Sequence, residues 1–100
     1  MTTEIQVDKS INKVVFVTAP WCQPCAAYKP NIDSASASIK SYGYAIEYIN
    51  ADEDRQFCKD YLIRGVPSTL IFHGDKVVEQ FAGNKTKEEL LEKIYKVSEI

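Results

Sequence analysis

Hydrophobic and polar positions along the chain alternate between two periods. Val14-Val15-Phe16-Val17-Thr18 is a continuous β-branched and aromatic run, the pattern of a strand covered on both faces. Pro20 closes it. Before it, Ile5-Gln6-Val7 alternates as a short first strand would, and Asp8 to Asn12 has room for only a turn or two of helix. The spacing predicts a helix from Cys22 to about Lys40. Pro24 falls in its first turn, where a missing N–H is harmless, and Pro30 lies inside, where a kink is expected. Tyr44 to Asn50 reads as a strand, Asp52 to about Tyr61 as a short helix, and Arg64-Gly65-Val66-Pro67 as a turn. Ser68–Phe72 and Val77–Phe81 read as strands joined by a hairpin turn at His73-Gly74-Asp75-Lys76. Gly83 breaks the chain. Thr86 and Glu89 have capping-box spacing. Leu90, Leu91, Ile94 and Tyr95 then mark the inward stripe of a final helix. The order β, β, α, β, α, β, β, α places the chain in the mixed α/β class.

Composition sharpens this little. A chain of 100 residues, 45% of them hydrophobic, is one domain with one core, residues 1–100. The net charge is −2 and no basic cluster occurs, so neither nucleic acid nor a membrane surface is an expected partner. No apolar run approaches the roughly 20 residues of a membrane span. Residues 1–8 show no basic stretch followed by an apolar one, so the cytoplasm is the expected location.

The candidate chemistry lies in the cysteines. There are three, Cys22, Cys25 and Cys58, too few and too odd in number for a disulfide framework. Cys22-Gln23-Pro24-Cys25 sits where a buried strand turns into a helix. A helix N-terminus favours negative charge, and the thiolate is the nucleophile of disulfide exchange. Cys25 lies one turn on, where its sulfur can reach Cys22 and resolve a mixed disulfide. Cys22 is expected to be the more exposed of the two. Taken alone, the spacing also suits half of a zinc site, for which only Cys58 and His73 remain as further ligands.

Three separated segments carry a resemblance. Ala19-Pro20-Trp21-Cys22-Gln23-Pro24-Cys25, with Pro30 beyond it, Gly65-Val66-Pro67-Ser68-Thr69 and Phe81-Ala82-Gly83 together resemble the thioredoxin family over nearly the whole chain. The resemblance implies the thioredoxin fold, a central mixed β-sheet flanked by helices, here with an abbreviated N-terminal helix. It implies a protein-disulfide reductase with Cys22 attacking and Cys25 resolving. It further implies a docking surface of Trp21, Gln23, Pro24, Val66, Pro67, Ala82 and Gly83, with a cis bond before Pro67. The redox-active Cys22–Cys25 disulfide takes the place of any cofactor or metal. Protein disulfides and a flavin-dependent thioredoxin reductase are the implied partners of a monomer.

The chain departs from that pattern in three places. Gln23 stands at the family's usual Gly, which bears on redox poise. Phe16 and Tyr48 fall at the positions of a buried Asp and its Lys partner, so the floor beneath Cys25 is expected to be apolar. Only some 13 residues precede the buried strand. Cys58 reads as a small buried hydrophobe and His73 as a solvent-exposed turn residue. Two other functions stay open: a glutaredoxin-like, glutathione-dependent reductase, and a thioredoxin-fold binding subunit of a larger assembly.

Overall fold

The computed structural model describes residues 11–98. The expected first strand at Ile5–Val7 and the reduced N-terminal helix lie outside the described residues. The elements are β1 (Asn12–Thr18), α1 (Gln23–Ser41), β2 (Tyr44–Asn50), α2 (Arg55–Asp60), β3 (Ser68–His73), β4 (Lys76–Ala82) and α3 (Lys87–Ser98). The four described strands form one sheet in the order β2-β1-β3-β4. β1 runs parallel to β2, with Phe16 beside Tyr48, and antiparallel to β3, with Phe16 beside Thr69. β3 and β4 are antiparallel, with a register shift between Ile71 and Phe72. The two-residue hairpin between them places Gly74 at φ 65°, a conformation that glycine adopts without steric cost.

β1 lies inside the sheet, and Val14, Val15, Phe16 and Val17 have no exposed surface. Its alternation divides them between two layers. Val14 and Phe16 pack with Tyr28, Ile32, Ala35 and Ile39 of α1 and Leu90, Ile94 and Val97 of α3. Val15 and Val17 pack with Leu70 and Phe72 over Phe57, Cys58 and Tyr61. The buried residues of α1 (Cys25, Tyr28, Ile32, Ala35, Ile39) recur every three or four positions, a single helical stripe. α1 runs unbroken through Pro30, although the proline ring leaves the Ala26 carbonyl without its intrahelical donor. On α3 the stripe is Leu90, Ile94 and Val97, while Tyr95 is 51% exposed. Tyr95 is therefore not part of the inner face: one residue past Ile94 turns about 100° around the helix, and Val97 completes the stripe instead.

The helix termini are held by side chains. Thr86 N–H donates to Glu89 Oε1 at 2.9 Å, and Glu89 N–H donates to Thr86 Oγ1 at 3.1 Å. This is a reciprocal capping box. Asp54 caps α2 through Phe57 N–H at 3.1 Å. α2 is shorter than its sequence span because Asn50 to Asp54 forms a turn, with Asp52 N–H donating to Asn50 Oδ1 at 2.8 Å. Its other end is closed by Leu62 N–H to Lys59 O at 3.3 Å and Ile63 N–H to Cys58 O at 2.8 Å. Those two bonds make a Schellman motif with Leu62 in its left-handed position, at φ 56°. A non-glycine residue there costs about 1–2 kcal/mol. Among the described residues no helix is long and apolar enough to cross a membrane.

Candidate active site

β1 delivers the chain to a turn in which Cys22 N–H donates to Ala19 O at 3.1 Å. Cys22 is not inside the helix, as its position in the sequence suggests, but is its N-cap, with extended backbone (φ −94°, ψ 107°). Its sulfur accepts the Cys25 N–H at 3.1 Å, the bond that a Ser or Asp oxygen makes at other N-caps. Gln23 and Pro24 follow as the exposed first residues of α1. The two cysteine Cα atoms are 5.2 Å apart and the sulfurs are joined in a disulfide. When the bond is reduced, a Cys22 thiolate sits on an amide donor at the positive end of a 19-residue helix, which favours its charge. Burial does not distinguish the pair: both cysteines are 6% exposed. The expected greater exposure of Cys22 is absent because Ala19 and Val66 close over both.

Val66 belongs to the loop before β3. The Val66–Pro67 bond is cis, and the Val66 carbonyl oxygen lies 3.6 Å from Cys22 Sγ. Pro67 is buried and Val66 half-buried. Gly83 N–H donates to Pro67 O at 2.9 Å. Since Ser68 pairs with Ala82, this bond extends the β3–β4 ladder by one step and ties the Gly83 loop to the proline loop. Ala82 is exposed beside it. Trp21 is 67% exposed, and its indole N–H donates to Asp52 Oδ2 at 2.9 Å. The cysteine pair, the Val66–Pro67 loop and the Ala82–Gly83 segment therefore meet at one end of the sheet.

Of the two residues expected to floor the disulfide, Phe16 is fully buried, edge-on to Tyr28 at 5.8 Å and tilted against Tyr48 at 5.6 Å between ring centroids. Tyr28 and Thr69 share a hydroxyl–hydroxyl bond of 3.0 Å. Burial pushes the Tyr28 phenol up, partly offset by that bond. Tyr48 is 43% exposed, so the floor is apolar at Phe16 but not at Tyr48. β2 is one of the two edge strands of the described sheet, and no helix covers that side chain fully. A groove of about 320 Å³ beside the sulfurs is lined by Cys22, Cys25, Lys29, Ile32 and Tyr48, among others. Lys29 is its one charged lining residue. Its ammonium lies 5.4 Å from the centre of the Tyr48 ring and 3.2 Å from Asp33. The hydrogen bond to Asp33 pushes Lys29 up, and partial burial pushes Tyr48 up against the opposing pull of Lys29. The groove therefore presents an ammonium and a neutral phenol at neutral pH, and no carboxylate.

The structure separates the remaining candidates. His73 is half-buried rather than solvent-exposed, because Tyr44 Oη lies 2.7 Å from its Nε2. It stands at the opposite end of β3 from Pro67. Cys58 is half-buried beside Phe57 and Ile63 rather than fully inside. Burial and then the charge of Asp54 push its thiol up. Among the described residues no three His, Cys, Asp or Glu side chains cluster as metal ligands do. Lys29 and Asp52 reach the site although no motif marks them, and Leu62 shares a concave surface with Gly65 and Ala82 beside it. Asp52 had a signal in its place at the start of a turn following β2. Lys29 is one turn beyond Cys25 on the same helix.

A disulfide-linked cysteine pair at a helix N-cap, facing the backbone of an adjacent loop on a mixed α/β sheet, is the arrangement that thiol–disulfide exchange calls for. The thioredoxin family model matches residues 2–96. A thioredoxin of Chlorobaculum thiosulfatiphilum is 32% identical over 93 residues, covering 93% of this chain and 83% of the relative. Protein disulfide isomerase-like 1-4 of Arabidopsis thaliana is 32% identical over 82 residues, 80% of this chain. This chain spans only 14% of the length of that protein. The crystal structure of thioredoxin NaTrxh from Nicotiana alata superimposes with a TM-score of 0.79 at 30% identity, covering 90% of this chain and 77% of that one. The chain belongs to the thioredoxin family.

Proposed function

We propose that the protein is a protein-disulfide reductase. The observation that carries this reading is the Cys22–Cys25 pair at the N-cap, with the Val66 carbonyl 3.6 Å from Cys22 Sγ. In the reduced protein the Cys22 thiolate attacks one sulfur of the substrate disulfide. The first substrate sulfur leaves as a thiolate and takes up a proton, and a mixed disulfide joins Cys22 to the second. Cys25 gives up its proton and attacks Cys22 Sγ. The second substrate thiol is released and the Cys22–Cys25 disulfide forms. Two electrons and two protons pass to the substrate.

Trp21, Gln23, Pro24, Val66, Pro67, Ala82 and Gly83 form the docking surface in this reading, with an extended substrate segment laid along the Val66 backbone. A flavin-dependent thioredoxin reductase returns the dithiol to its reduced state, which suits a reducing compartment, the cytoplasm. The protein acts as a monomer, without metal or organic cofactor. The test is insulin reduction driven by dithiothreitol, with Cys22→Ser as control. Turnover by wild type and none by the variant is expected. Turnover sustained by glutathione alone would move the protein to the glutaredoxin-like reading, and full biological function without either thiol to that of a binding subunit.

A further inference from the structure

Building on the reductase reading, we propose that Leu62 is a specificity-determining residue that contacts an apolar side chain flanking the disulfide of a protein substrate. Leu62 is disfavoured twice by the fold. It holds the left-handed position of the motif that ends α2, at φ 56°, where glycine or asparagine is the ordinary occupant. Its side chain recovers nothing by packing, because it is 74% exposed, the most exposed large hydrophobic among the described residues. The next residue, Ile63, supplies the motif's contact with the core. An apolar residue kept in a strained and solvated place is an argument for function when it lies at a site.

Leu62 borders the docking surface of that reading, on the side of Ala82. It shares one concave surface with Gly65, Ser68 and Ala82. A second concave surface runs from Trp21 to Val66. Both include Ile63, Arg64 and Gly65, so that loop is the ridge between them. The two most exposed large hydrophobics, Leu62 and Trp21, thus flank the loop whose Val66 carbonyl faces Cys22. A substrate disulfide held at Cys22 brings the residues beside it across this ridge. A small disulfide with no flanking chain reaches Cys22 without meeting Leu62.

The experiment compares wild type, Leu62→Gly and Leu62→Asn, both replacements being suited to the left-handed backbone. Insulin and bis(2-hydroxyethyl) disulfide serve as oxidants, and Tm is measured alongside. The ratio of kcat/KM for insulin to that for the small disulfide is expected to fall about fivefold in both variants, the loss of a half-buried leucine contact, and to do so through KM. Leu62→Gly is expected to raise Tm by roughly 4 °C or more. An unchanged ratio would overturn the proposal, as would an equal loss with both oxidants or a fall in Tm for Leu62→Gly. A wild type that reduces neither oxidant would instead overturn the reductase reading beneath it.

Discussion

The sulfur of Cys22 caps the helix that carries Cys25, by accepting the Cys25 N–H at 3.1 Å. In the proposed reaction one atom is therefore both the nucleophile and the N-terminal anchor of α1. The chemistry and the fold meet at a single position, and substitutions there have two separable effects.

Cys22→Ser and Cys22→Ala both remove the nucleophile and the disulfide, but serine keeps an oxygen for the cap. Urea unfolding of the two variants is expected to show Cys22→Ala less stable by about 1 kcal/mol. Equal stabilities would show that the sulfur contributes nothing to the helix.

Alkylation of the reduced protein separates the three thiols. The Cys25 N–H favours the Cys22 thiolate, so Cys22 is expected to label first in a timed iodoacetamide reaction mapped by mass spectrometry. Cys58 is expected to label more slowly than Cys22 at neutral pH. Burial and the nearby Asp54 carboxylate push its thiol up, which lowers its thiolate fraction, so its rate should climb as pH rises. Labelling of Cys25 ahead of Cys22 would reverse their assigned roles.

The hydroxyl pair of Tyr28 and Thr69, 3.0 Å apart, is fully buried. Tyr28→Phe leaves the Thr69 hydroxyl without its partner and should cost about 1–2 kcal/mol. Adding Thr69→Val removes the stranded group and should recover part of that loss. A double-mutant cycle in urea measures the coupling; strictly additive losses would deny it.

Phe16 is fully buried and packs against Tyr28 and Tyr48. Phe16→Asp should destabilise by at least ~3 kcal/mol, since it removes a buried ring and buries a carboxylate. Tyr48→Lys in the same chain should restore some of this by pairing the charge. In stopped-flow measurements the double variant is expected to resolve the mixed disulfide faster at neutral pH, because it carries the buried acid of the family pattern as a proton acceptor for Cys25. In wild type, resolution should quicken as pH rises. A folded double variant that resolves no faster would mean that water or the substrate takes the Cys25 proton.

The parts of the fold legible in the sequence were those fixed by local chemistry. The β-branched run at 14–17, the proline in the first turn of α1 and the pairing of Thr86 with Glu89 each act through near neighbours, and each forms where its pattern lies. The Cys-x-x-Cys spacing brought the sulfurs together for the same reason. What escaped depends on distant chain. Cys22 is seldom read as a helix cap, because sulfur is not among the usual capping atoms. The exposure of Tyr48 follows from the outer place of its strand, which no residue near it encodes. Cys22 and Cys25 are equally buried because Val66, more than 40 positions on, covers both. Leucine at position 62 hides a helix ending that glycine would have announced.

The Gly83 N–H to Pro67 O bond adds a last rung to the β3–β4 ladder. It makes the proline loop and the Gly83 loop the frayed end of a sheet rather than two independent flaps. Opening either one breaks that rung first, and the Ser68–Ala82 pair stands next in line. Amide hydrogen exchange should then report a graded loosening. Gly83 exchanges more readily than the amides at the centre of β3, and its protection rises and falls with theirs as the sheet is destabilised. The proposed docking surface is thereby set at the soft margin of the sheet.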